Sequence, residues 1–220
     1  MYCSVFHVAY NENMHELVPR DTHCLWQYHY LQQPPAAADC MIVMADADER
    51  VAQYAGLLLK DRHYWNIVIV GAPEIAQRAR DIMHQLGYEK DLIIHGAMVH
   101  MSHEASAVFK TLQELNGPMP LSIHVVTMPY FERRVSATFQ SSWPDRDTKV
   151  TVSSPYMDID TCVSGPHSYN YIVAKLVGET ERIIRYSSYG YIAPQQVTGD
   201  ARAAYGRLIA AGFTQEMIKN

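Results

Sequence analysis

The stretch Val125–Pro144, VVTMPYFERRVSATFQSSWP, decides the fold class. Val125, Val126 and the preceding Ile123 suit a strand in a sheet covered on both faces. Pro129 breaks that run, because proline has no N–H for a sheet ladder. Phe131 to Phe139 then reads as a helix, which sets Tyr130, Arg133 and Arg134 just past the carboxyl end of a strand. Open α/β sheets bind ligands in that region. A helix start offers free N–H groups and partial positive charge, and two guanidiniums would strengthen it as an anion site. The plainer alternative is that both arginines are surface ion-pair partners, which contribute little energy.

Outward from this stretch the same rhythm repeats. Cys40–Met44, Trp65–Val70, Asp91–His95 and Ser122–Thr127 are short apolar runs predicted as strands, and Lys149–Ser153 is a fifth, at an edge. Helix-length segments separate them: Glu49–Leu59, Ile75–Leu86 and Ser102–Leu115. Pro73 fits a first helical turn, and Gly87 fits a C-cap. Strands alternating with helices predict a parallel sheet in a layered α/β fold with right-handed crossovers. Before it, residues 1–37 form a polar, aromatic-rich leader with a helix over Leu25–Gln33. Residues 38–155 make the α/β domain. Residues 156–220 make a small helical C-terminal lobe, with helices over His167–Arg185 and Gly199–Phe213.

Composition narrows the function. The chain has 220 residues, 48% of them hydrophobic, and a formal net charge of -5. That mild acidity argues against nucleic acid as a partner. The four cysteines, Cys3, Cys24, Cys40 and Cys162, show neither CxxC pairing nor zinc spacing. The first residues lack the pattern of a signal peptide, and no apolar run approaches a membrane span. The expectation is a cytoplasmic protein with no membrane partner and no metal, whose ligand is a small molecule. Oligomeric state is not legible.

Parallel strands gather their carboxyl ends. Asp46 and Asp48 would follow the first strand, Glu74 the second, and His100, His103 and Glu104 the third, with Tyr130, Arg133 and Arg134 after the fourth. Together they suit an anionic, hydroxyl-bearing ligand, since carboxylates at such strand ends bond ribose hydroxyls. No GxGxxG and no GxxxxGK[ST] occurs. Asp46 and Asp48 form a DxD that can ligate a divalent metal, but Asp48 equally suits a helix cap. The histidines, His95 among them, read as polar loop residues, one of which can act as acid or base near neutrality. Glu104 either complements its helix dipole or contacts a ligand or arginine. His103 and Glu104 are the catalytic candidates. Ser102 reads as a cap, and no serine or cysteine shows a nucleophile's setting.

On these residues the chain resembles the YdcF-like family, within the SanA/ElyC/YdcF group. LWQYHYLQQPPAAADCMIVM is similar to that family's approach to its first strand, and Asp48-Glu49-Arg50-Val51-Ala52 to its next turn. Pro129–Pro144 is the most specific match, and Val177–Tyr191 (VGETERIIRYSSYGY) resembles the C-terminal signature. The resemblance implies a Rossmann-like three-layer α/β sandwich with a helical C-terminal lobe. It also implies a nucleotide-type ligand, with S-adenosylmethionine the one usually proposed. Three departures stand out. Ala45-Asp46-Ala47-Asp48 replaces a Gly-Ser-His-Asp type turn, Gly71 runs almost directly into Pro73 where the family has a long polar loop, and Ala105 replaces an asparagine. Two functions follow: a transferase or hydrolase acting on a nucleotide-like ligand, or a non-catalytic regulatory protein on a degenerate scaffold.

Overall fold

The computed structural model describes residues 14–89, 91–96 and 101–219. Five strands form one all-parallel sheet: β1 (Cys40–Met44), β2 (Asn66–Gly71), β3 (Ile93–Gly96), β4 (Ser122–Val126) and β5 (Lys149–Ser153), in the order β3-β2-β1-β4-β5. β1 lies at the centre, with Ile42 opposite Val68 of β2 on one side and Val125 of β4 on the other. Helices α2 (Arg50–Asp61) and α3 (Pro73–Gln85) carry the chain outward from β1 to β3. Then α4 (Met101–Glu114) returns it past β1 to β4, and α5 (Glu132–Ser142) leads to β5. Reversing the direction of travel at constant crossover hand puts the second pair of helices on the opposite face.

Two cores result, one per face. Cys40, Ile42, Val68, Val70, Ile123 and Val125 point to one side, where α4 and α5 supply Val108, Leu112 and Phe139. Met41, Val43, Ile67 and Ile69 alternate to the other, against Val51, Ala55 and Met83 of α2 and α3. This is a Rossmann-like fold, and β1 to β4 are the four predicted parallel strands, shifted by a residue or two at their ends.

The second core continues beyond the sheet. It takes in Leu25 and Trp26 of α1 (Met14–His29), Ile172 and Leu176 of α7 (Tyr169–Ser188) and Leu208 of α8 (Gly199–Ala210). A short helix α6 (Ile159–Val163) precedes α7. The leader helix differs from its predicted span. It starts by Met14 and ends at His29 rather than running over Leu25–Gln33. Its end is fixed from a distance: the buried Glu132 carboxylate accepts the N–H groups of Leu31 (2.6 Å) and Gln32 (3.1 Å), and Gln32 turns to φ 53. Midway along it, the buried Asp21 carboxylate takes two bonds from Arg207 of α8 at 2.6 and 2.8 Å. Ser102 also differs, lying inside the first turn of α4 rather than capping it. Gly87 does close α3, at φ 96, with Tyr88 N–H reaching back to Met83 O. Among the described residues no helix is long and apolar enough to cross a membrane.

Candidate functional site

Between β1 and β4 the connections leave in opposite directions, so a crevice opens at their carboxyl ends. A cavity of about 710 Å³ lies there. Its floor is Met44 at the end of β1, Ala45 and Asp46 just after it, and Thr127 after β4. One wall is the first turn of α4, with His103 and Glu104; the other is α5, with Phe131 before it and Arg134 and Thr138 on it. The third wall is α7, which presents Lys175, Glu179, Arg182 and Tyr186. These four recur at helical spacing, so they form one polar stripe on a helix whose Ile172, Leu176 and Ile183 are buried.

The charges on the walls are largely paired. Arg134 grips Glu179 with both arms, through Nε to Oε2 and Nη2 to Oε1 (3.2 Å), and its Nη1 reaches Met101 Sδ at 3.6 Å. Arg182 Nη1 stands 3.6 Å from the same Glu179 Oε1. One carboxylate, 2% exposed, thus serves two guanidiniums. Lys175 is held from outside by Glu216 at 2.6 Å and lies over the Tyr171 ring. Burial opposes its charge, but Glu216 and Tyr171 together raise its pKa. Asp46 Oδ1 accepts from Asp48 N–H (2.9 Å) and contacts His167 Nε2 (3.2 Å), whose ring stacks on Tyr171 at 4.5 Å.

Of the candidates read from sequence, Asp46, His103, Glu104 and Arg134 meet on this cleft. Asp48 does not line it. Its buried carboxylate caps the Arg50 N–H (3.1 Å) and grips the Arg50 guanidinium, which donates onward to Thr161 O and Cys162 O. Burial pushes the Asp48 pKa up, but the bonds from Arg50 outweigh it and the net is a lowering. Asp48 therefore ties α2 to α6. Glu74 is exposed in the first turn of α3, away from the cavity. Tyr130 is fully buried in the core, tilted against Trp26 and edge-on to Phe131. Burial raises its phenol pKa well above the usual range. Arg133 turns away from the cavity: its guanidinium lies 4.3 Å from the centre of the Tyr28 ring and donates to Tyr28 O at 2.5 Å. His100 lies outside the described residues. Among the described residues no group of three or more His, Cys, Asp or Glu side chains is placed to hold a metal ion.

No protein-family profile matches the chain. It is similar to Uncharacterized protein SCO4629 of Streptomyces coelicolor, at 24% identity over 208 residues covering 90% of this chain and 93% of that one.

The residues missed from sequence are those of α7, together with Tyr191 and His167. The signal for α7 was available. Lys175, Glu179, Arg182 and Tyr186 fall at i, i+4, i+7 and i+11, a polar line on a helix otherwise apolar enough to be read only as packing. Nothing local marks His167, whose link to Asp46 spans 121 residues.

Proposed function

We propose that the cleft at the ends of β1 and β4 binds an anionic small molecule of nucleotide size, with Arg134 and Arg182 as its anion-holding groups. The observation that carries this is their sharing of Glu179, which leaves more guanidinium than carboxylate at one point of a concave wall. A cavity of about 710 Å³ suits a mononucleotide or a cofactor fragment. The resemblance to the YdcF-like family brings S-adenosylmethionine forward as the first ligand to try. His103 and Glu104, side by side on the opposite wall, are the groups positioned for acid–base work in a transferase or hydrolase. With a net charge of -5 and the described Cys24, Cys40 and Cys162 unpaired, the proposal places this chemistry in the cytoplasm without a nucleic-acid partner.

A second reading, a non-catalytic regulatory protein, draws support from the ion pairs themselves: Lys175, Arg134 and Asp46 each already hold a protein partner. The two readings part in one experiment. Thermal unfolding is followed with S-adenosylmethionine, nucleotides and sugar phosphates, and binders are incubated and analysed for product by mass spectrometry. A true ligand at about 100 times its Kd stabilises by about 2.7 kcal/mol, and Arg182→Ala should remove that gain. Product that disappears in Glu104→Gln while binding persists supports the enzyme; binding without product supports the regulator. No shift with any anion removes both.

A further inference from the structure

The chain beyond α7 is folded back on itself in a way that serves the cleft mouth. Tyr189 N–H bonds Arg185 O, Gly190 N–H bonds Ser187 O, and Tyr191 N–H returns to Tyr186 O at 2.9 Å. Gly190 has φ 72, the left-handed conformation such a helix end requires. The return sets Tyr191 beside Tyr186 (ring centres 5.9 Å apart) and Tyr189 (5.6 Å). The turn is then fixed on its far side: Ile192 is buried, Ala193 N–H bonds Ala137 O of α5 at 2.9 Å, and Ser141 donates to Tyr191 O at 3.2 Å. A rigidly anchored loop thus holds three aromatic rings together, of which Tyr189 and Tyr191 remain 59% and 62% exposed.

Tyr186 and Tyr191 both line the cavity, and Arg182 lies one helical turn before Tyr186 on the same stripe. Arg182 Nη1 is buried and has no hydrogen-bond acceptor among the described residues, its nearest carboxylate oxygen being 3.6 Å away. A group with a free donor deep on the wall and exposed aromatic surface at the mouth is matched by one ligand chemistry: a negative group joined to a flat ring. Every nucleobase offers a π face that can stack on an exposed aromatic ring.

Resting on the anion-binding reading above, we propose that Tyr191, backed by Tyr186 and Tyr189, is the ring-stacking subsite of the cleft, and that the ligand is a nucleoside bearing an anionic group which Arg182 receives. The ring therefore selects nucleotide-type ligands over sugar phosphates or free amino acids that carry the same anion.

Isothermal titration tests this with matched pairs: adenosine 5′-monophosphate against ribose 5-phosphate, and S-adenosylmethionine against methionine, with adenosine as a fifth probe. In at least one pair the adenine-bearing member should bind about tenfold or more tightly. Tyr191→Ala should close that gap and Tyr191→Phe should keep it, since phenylalanine retains the ring. Equal binding within both pairs, or a gap that survives Tyr191→Ala, overturns the stacking subsite and leaves the anion site standing. Adenosine binding as tightly as its phosphate would overturn the anion site instead and keep the ring. If none of the five binds, both proposals fail.

Discussion

Tyr130 and its neighbours show how five consecutive residues divide their labour. Tyr130 is buried with no hydrogen-bond partner for its hydroxyl among the described residues, Phe131 borders the cavity, Glu132 holds the end of α1, Arg133 stacks on Tyr28 of α1, and Arg134 meets Glu179 in the cleft. A buried hydroxyl with no partner is costly, so Tyr130→Phe should leave stability unchanged or raise it by about 1 kcal/mol in urea unfolding. Ligand binding should not change; a loss of binding would show that the hydroxyl serves the cleft after all. The adjacent arginines should separate in the same assay. Arg133→Ala removes a cation–π contact and one backbone bond, at a cost of roughly 1–2 kcal/mol, and leaves cleft binding intact. Arg134→Ala strands Glu179, 2% exposed, with only the looser Arg182 nearby, and should cost about 3 kcal/mol or more. Equal stability losses for the two would contradict this division.

Among elements, α1 shows most clearly how distant residues fix local structure. Its exit is held by Glu132, whose Oε1 also accepts from Ser154 at 2.6 Å just beyond β5, so one carboxyl joins α1, α5 and the edge strand. Glu132→Gln keeps an acceptor for Leu31 and Gln32 and a donor for Ser154, and should cost little. Glu132→Ala leaves two N–H groups near the core unpaired and should cost roughly 2–4 kcal/mol, read as a drop in denaturation midpoint. A mild Ala and a severe Gln would refute the clamp. The same element marks the limit of the sequence reading. Strands β1, β2 and β4 were legible because each is a short apolar run, and a two-sided core leaves that pattern undiluted. The end of α1 was not, because a carboxylate about 100 residues away sets it. The site divides likewise. Asp46, His103, Glu104 and Arg134 follow from strand-end topology. Asp48 and Arg133 satisfied the same rule, yet nearby Arg50 and Tyr28 drew them elsewhere. The α7 wall lay outside the rule because it belongs to no strand end.

At the scale of the whole molecule, α1, α7 and the sheet close over buried ionisable groups, and these give the fold a pH dependence whose sign can be worked out. His29 of α1 is fully buried and meets Thr180 of α7 at 2.9 Å. His124 of β4 is buried between Tyr64 (3.0 Å) and Ser153 (2.8 Å). Burial pushes the first imidazole down to about 3 and the second down to about 4. Both stay neutral in the folded chain while the unfolded chain protonates them below about pH 6.5. Their contribution is therefore complete above that pH and is lost as pH falls toward 4 and 3. Glu132 has the opposite sign. Burial pushes its carboxyl up to about 7 against the bonds from Ser154, Leu31 and Gln32. Its contribution is present below the ordinary carboxylate pKa and is lost as pH rises to about 7. Between about pH 4.5 and 6.5 the unfolded chain thus binds two extra protons on the imidazoles and one fewer on Glu132. The balance is one proton, so stability should rise with pH by roughly 1.4 kcal/mol per unit in that window. Glu132→Gln removes the opposing group and should about double the slope, whereas His29→Gln should flatten it. Urea unfolding at pH 5, 6 and 7 reads all three. A wild-type stability that is flat as pH rises from 5 to 6 would mean that one of the two imidazoles is charged in the fold, one that falls would mean that both are, and a slope in Glu132→Gln no steeper than wild type would mean that Glu132 is already ionised there.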